Sequence, residues 1–171
     1  MFVAFLAFGM FACGEKQLTQ EDLNKAEASL FNEDGSIKPD KAPGVAKMYC
    51  QFVEQNPDDP SAPLWLYHAF EVYVLMKDAD QSIAMCDKLL EQYPQSDWSP
   101  RALHVLGSFI YEDQLQDLDK ARSTYERILA EYPDSDVASS AEASIKYLGM
   151  TPEEIMTVIS MSQMDVEEGE W

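Results

Sequence analysis

Side chains able to do chemistry are sparse in this chain. His68 and His104 are its two histidines, and neither has a second His four residues away, as a zinc pair on one helix face requires. The three cysteines, Cys13, Cys50 and Cys86, are too few and too scattered for a disulfide framework or a structural zinc site. Cys50 and Cys86 sit among apolar residues at helical spacing and read as small buried hydrophobes. Ser108 follows Gly107, but there is no G-x-S-x-G elbow to activate it. Glu71 and Glu112 recur at roughly corresponding places on successive helices; acid–base work would need a hydrophobic cleft and a partner group besides. The expectation is a protein that is not an enzyme, with no cofactor and no metal.

Cys13 has a different setting. Residues 1–12, M-F-V-A-F-L-A-F-G-M-F-A, are almost wholly apolar and too few to cross a bilayer as a helix, which takes about 20 residues. They suit the apolar core of a signal peptide, although the basic segment that normally precedes it is missing, so the natural start is expected upstream of Met1 or the chain is truncated there. Ala12-Cys13-Gly14 resembles a bacterial lipobox, with Met10 where Leu is usual. On that reading Cys13 is the lipidated N-terminus; an ordinary signal peptide with an incidental Cys is the alternative. Each buried CH₂ of an acyl chain contributes about 0.8 kcal/mol, so two or three chains anchor a protein firmly. Residues 13–18 then form a lipid-anchored tether and 161–171 an acidic tail.

With 31 acidic and 12 basic residues the formal charge is −19. Such a chain is repelled by nucleic acid and by bare anionic lipid, so neither is expected as a direct partner. Most of the acid reads as the solvated face of helices.

The elements that would position any site are helical. No stretch alternates with period two for long, and there is no βαβ rhythm or Gly-rich loop. Thr19 opens a capping box closed by Asp22, ahead of the stripe Leu23, Ala26, Leu30 and Phe31. Asn32–Ser36 reads as a turn around Gly35. Helix faces follow at Val45, Tyr49, Phe52 and Val53; at Leu66, Ala69, Phe70 and Tyr73; at Ala79, Ile83, Cys86 and Leu90; at Leu103, Leu106, Gly107 and Ile110; and at Ala121, Tyr125, Ile128 and Leu129. Ser99 reads as an N-cap with Pro100 at N1, Asp117 as another N-cap, and Gly149 as a C′ residue after a helix over 137–148. Thr151-Pro152-Glu153-Glu154 begins a last short amphipathic helix.

The run Y-P-Q-S-D-W-S-P-R-A at Tyr93 is restated as Y-P-D-S-D-V-A-S-S-A at Tyr132, an internal period in the thirties that marks a helical solenoid. The pattern resembles the tetratricopeptide repeat: Leu103, Leu106-Gly107 and Ile110 in a helix A, then Ala121, Tyr125, Ile128 and Pro133 in a helix B, with the connection between Tyr111 and Ala121 two residues longer than usual. A weaker copy has Leu66, Ala69-Phe70 and Tyr73, then Ser82, Cys86, Leu89 and Pro94, with Phe70 standing where Gly is expected. The resemblance implies an all-α, right-handed solenoid of antiparallel helix pairs over 19–160, with repeats at about 60–96 and 97–135, a half repeat at 43–57 and a closing helix at 136–149. Gly107 and Ala121 are expected to face each other at the helix crossing.

The runs G-S-F-I-Y-E-D-Q-L-Q-D-L-D-K-A, Y-P-D-S-D and Y-L-G-M-T-P-E-E-I are similar to tetratricopeptide lipoproteins of Bacteroidota, and the Y-P-x-S spacing is similar to that of BamD-like outer-membrane lipoproteins and the periplasmic protein CpoB. That implies a non-catalytic protein–protein interaction scaffold, lipid-anchored in the outer membrane and facing the periplasm. An accessory component of outer-membrane protein assembly is the alternative, and an envelope enzyme with a degenerate site a third. The family's concave face, carried over position by position, falls on Leu64, Tyr67, Glu71, Val74 and Leu75, then Arg101, His104, Ser108, Tyr111 and Glu112, with Tyr147 following. The Lys and Asn that clamp a C-terminal carboxylate in chaperone-binding members are absent. The surface that remains, aromatic and mildly acidic, suits a protein or peptide with apolar anchors and a positive charge. The same tyrosines could equally be packing against the neighbouring helix.

Overall fold

The computed structural model describes residues 16–168, with side chains as far as 161. The leader 1–12, Cys13 and the first part of the tether lie outside the described residues, as does the end of the acidic tail. The helices are α1 (Gln20–Leu30), α2 (Ala42–Gln55), α3 (Ala62–Leu75), α4 (Ala79–Gln92), α5 (Trp98–Val105), α6 (Leu118–Glu131), α7 (Ala138–Tyr147) and α8 (Pro152–Glu168). A π-helical segment, Leu106–Gln114, continues α5 without a break. From α1 to α7 each helix packs on the next, and α3 also packs on α5, giving an all-α helical-repeat solenoid. Among the described residues no helix is long and apolar enough to cross a membrane.

Three tight turns set the stacking. Helices α2, α4 and α6 each end at a residue followed by proline: Asn56-Pro57, Tyr93-Pro94 and Tyr132-Pro133. A residue before proline is pushed out of the helical region, and these three take nearly one conformation, φ/ψ of −138/59, −133/54 and −135/52. Proline then occupies the second position of a turn whose fixed φ it matches. The turns close alike, Asp59 N–H donating to the Asn56 carbonyl at 3.1 Å, Ser96 to Tyr93 at 3.0 Å and Ser135 to Tyr132 at 3.1 Å. The Tyr93 hydroxyl donates to the Pro57 carbonyl at 3.0 Å and so ties the second turn to the first.

The connections α3–α4 and α5–α6 also match. Lys77 and Gln116 take left-handed backbone angles, φ 57° and 53°, at about 1–2 kcal/mol each. Each precedes an aspartate N-cap, Asp78 accepting from Gln81 N–H and Asp117 from Lys120 N–H, and a cap is worth about 1 kcal/mol. The two extra residues of the second repeat therefore do not lengthen the turn. They are taken up inside the helix as the π-helical segment, at whose end Gln114 Nε2 donates to the Lys77 carbonyl at 2.7 Å.

Several sequence expectations change. At Gly107 the closest neighbour is the Tyr125 ring: a Cβ there would lie 2.6 Å from Tyr125 Cε1. Phe70 and Cys86 hold the equivalent positions one repeat earlier, both fully buried. Bulk is thus exchanged across the pair, small-on-helix-A with large-on-helix-B in one repeat and the reverse in the other. The half repeat is a full pair, since α1 packs on α2. The tether is pinned from Lys16 onward: Leu18 N–H donates to Gln55 Oε1 at 2.8 Å and Gln55 Nε2 to the Lys16 carbonyl at 3.2 Å. Leu18 and Leu23 are both buried, at the two positions of a hydrophobic staple around the Thr19 cap. Ser99 lies inside α5, its hydroxyl donating to the Tyr93 carbonyl at 2.7 Å. Helix α8 runs on to Glu168, into the stretch read as the acidic tail from 161. The boxes at Thr19 and Thr151 form as read, and Gly149 ends α7 at φ 74°.

Two glycine substitutions separate helix propensity from close approach. Gly44 lies in α2, and a Cβ on it would meet nothing within 4 Å, so Gly44→Ala should stabilise by about 0.5–1 kcal/mol. Gly107→Ala should instead cost about 1–3 kcal/mol, because the ring it meets is rigid. Urea unfolding of both variants checks this; equal shifts would contradict the close approach.

Candidate functional site

The first turns of the solenoid leave a groove between α1, α3 and α5, about 530 Å³ in volume. Its walls are apolar: Leu30 and Phe31 from the end of α1, Val72, Val74 and Leu75 from α3, and Val105 and Phe109 from α5 and its π-helical continuation. Phe31, Leu75 and Phe109 are 39%, 52% and 58% exposed. Three large apolar side chains open to solvent around one groove form a contiguous patch of the kind that marks an interaction site.

Polar groups lie among the same lining residues. Tyr49 is 1% exposed, packed on Trp65 at 5.2 Å, yet it lines the groove. Burial pushes its hydroxyl well above the usual range, and the Glu27 and Glu71 carboxylates push it further. His68 Nδ1 lies 3.0 Å from Glu71 Oε2. Lys77 is the one basic residue among the lining.

Of the positions carried over from the sequence, Glu71, Val74 and Leu75 line this groove. Leu64 is half-buried near the start of α3. Tyr67 is 8% exposed, stacked 4.9 Å from Trp98 and 5.9 Å from Phe70, and so is a core residue. Burial and then Glu71 raise its hydroxyl to about 12. Arg101 is spent on Asp136 at 2.6 Å and covers the Trp98 ring at 4.9 Å. His104 packs on Tyr125 at 5.8 Å, and burial lowers its pKa. The Ser108 hydroxyl donates back to the His104 carbonyl at 3.0 Å. Tyr147 is half-buried with Lys146 Nζ 5.1 Å from its ring centre.

Tyr111 and Glu112 go elsewhere for one reason. Val105 and Phe109 are the equivalents of His68 and Val72, and all four line the groove. Beyond that point the π-helix spends more residues per turn than an α-helix, so the equivalents of Val74 and Leu75 rotate away. Tyr111 lies against α6, with Lys120 Nζ 5.6 Å from its ring, and close enough to α4 to feel Asp87 and Cys86. Glu112 accepts the Tyr125 hydroxyl at 3.0 Å.

Sequence reasoning missed Glu27, Phe31 and Tyr49 because helix A positions were counted in the two full repeats alone. The unbroken stripe Leu23–Phe31 made Phe31 look like core. Phe109 carries a signal in hindsight, being large, apolar and off the buried stripe of Leu103, Leu106 and Ile110. Among the described residues no three His, Cys, Asp or Glu side chains converge as a metal site would need.

Comparison with known families accords with this architecture. A family model described as the tetratricopeptide repeat matches residues 65–96 and 106–135. No curated protein matches the chain. Tetratricopeptide repeats are therefore present, and repeats of this kind point to protein or peptide partners.

Tyr67→Ala should cost about 3 kcal/mol or more through lost packing, whereas Leu75→Ser and Phe109→Ser should each stay within about 1 kcal/mol on exposed sites. Urea unfolding of the three distinguishes core from groove wall. His104 gives a pH dependence. Its folded pKa lies below the unfolded value, so the unfolded chain binds more protons between the two, and the stability present above about pH 6.5 is lost as pH falls through the folded value. Melting temperature should drop on acidification in that range, and His104→Gln should flatten the drop.

Proposed function

We propose that this chain is a non-catalytic scaffold that holds a protein partner in the groove between α1, α3 and α5, and is tethered by a lipidated Cys13 to the outer membrane of a bacterial envelope, facing the periplasm. The observation that carries the binding reading is the groove itself: Phe31, Leu75 and Phe109 exposed around a cleft whose other side belongs to a repeat array. Exposing that much apolar surface costs solubility and is retained where a partner covers it. The tether reading is supported by the sequence alone, an apolar run ending at Ala12 with the polar G-E-K-Q starting right after Cys13. A firm lipid anchor with a short tether concentrates the groove within reach of other envelope proteins.

Two results test the reading. The intact mass of the mature chain should show acyl groups on Cys13, and Cys13→Ala should leave the protein unprocessed or released from the membrane fraction. Leu75→Ser with Phe109→Ser should lose the proteins that co-purify with the parent chain while melting within a few degrees of it. A mature chain without acyl groups overturns the tether; retention of every partner overturns the groove.

A further inference from the structure

The groove is not uniformly apolar, and its polar part is unfinished. Tyr49 is 1% exposed and lines the groove, but its hydroxyl has no hydrogen-bond partner among the described residues. The carboxylates of Glu27 and Glu71 line the same groove and both act on that hydroxyl, from two helices, α1 and α3. Glu27 has neither an ion pair nor a hydrogen bond among the described residues, in contrast to Glu112, which is engaged by Tyr125. Glu71 is held in place by His68 Nδ1 at 3.0 Å and by the Tyr67 hydroxyl, which still leaves part of its carboxylate's four lone-pair sites for a ligand. Lys77, the basic residue of the lining, forms an ion pair with neither carboxylate. The groove thus gathers two carboxylates and a hydroxyl oxygen with acceptor capacity to spare, beside apolar walls.

We propose that the groove recognises a cationic side chain, an arginine or lysine on a partner segment, seated between Glu27 and Glu71 against the Tyr49 hydroxyl, while apolar residues of the same segment cover Phe31, Leu75 and Phe109. This rests on the groove being the partner surface and adds the chemistry of the partner. A planar guanidinium donates in several directions at once and so satisfies two carboxylates and a hydroxyl together. Charge decides against the other occupants. A second copy of this chain brings a net charge of −19 to an acidic groove, and α8 brings acidic residues at both ends. Apolar residues flanking the cation at helical spacing would lay an amphipathic helix along the groove. Enclosure by apolar walls strengthens the charge contact relative to an exposed pair.

The test uses the full chain and a random peptide library displayed on phage, each peptide on the order of 16 residues, or about four helical turns. Enriched peptides should carry Arg or Lys flanked by apolar residues. A synthetic copy of one should bind with at least about tenfold lower affinity when its Arg is replaced by citrulline, or when Glu27→Gln is introduced into the protein, and should weaken with salt. Glu27→Gln breaks no contact within the fold, and circular dichroism on the same samples verifies it. If citrulline and Glu27→Gln change nothing but Leu75→Ser with Phe109→Ser abolishes binding, the groove holds apolar segments and the cation site is wrong. If binding ignores Leu75→Ser with Phe109→Ser, or no peptide is enriched, the groove reading falls with it.

Discussion

A residue placed before proline, repeated three times, sets this molecule's geometry. At Asn56, Tyr93 and Tyr132 the clash with the following ring stops a helix, and the proline's own fixed φ starts the turn that launches the next. Because the three turns share one conformation, each helix pair is followed by the same kind of turn into the next, and a surface common to several helices can form. Core packing then adjusts to the turns. Where helix A carries Phe70, helix B has Cys86; where helix A carries Gly107, helix B has Tyr125. Interiors pack at crystal-like density, so the bulk can move from one helix to the other provided the sum is kept.

Much of the fold could be read from the chain because its signals are local. Thr19 with Asp22, Thr151 with Glu154, Asp117 and Gly149 act through bonds within a few residues, and all do what their types imply. The repeat could be read for the same reason, the turn after Tyr-Pro being a short-range structure. The π-helical segment could not. Its two extra residues looked like a longer loop, since nothing in S-F-I-Y-E-D-Q marks a change from one hydrogen-bond ladder to another. It becomes visible only when Lys77 and Gln116 are seen to hold the same φ and to precede the same aspartate cap.

The site was less legible than the fold, and the π-helical segment is half the reason. Family spacing assumes an α-helix throughout, so it assigns Tyr111 and Glu112 to the concave side; the slower rotation of the segment turns Tyr111 towards α6 and gives Glu112 to Tyr125. The other half is α1. Its end supplies Glu27, Leu30 and Phe31 to the groove from outside the recognised repeats. A groove wall made of residues far apart in sequence leaves no local pattern, and Phe31 is indistinguishable by type from the buried stripe it follows. The tyrosines were informative in the opposite sense: Tyr67 and Tyr49 are core, and each meets the groove only through its hydroxyl end, Tyr49 as a lining residue and Tyr67 through Glu71.

A partner seated in the groove lies over Phe109 and away from Tyr111, two residues further along one helix. A photoreactive benzoylphenylalanine substituted at either position of the full chain in living cells reports which of them the partner touches. Groove binding predicts a crosslinked partner from position 109 and none from position 111. Adducts from 111 alone, or equal adducts from both, would contradict it and return the binding surface to the face that α-helical spacing implies.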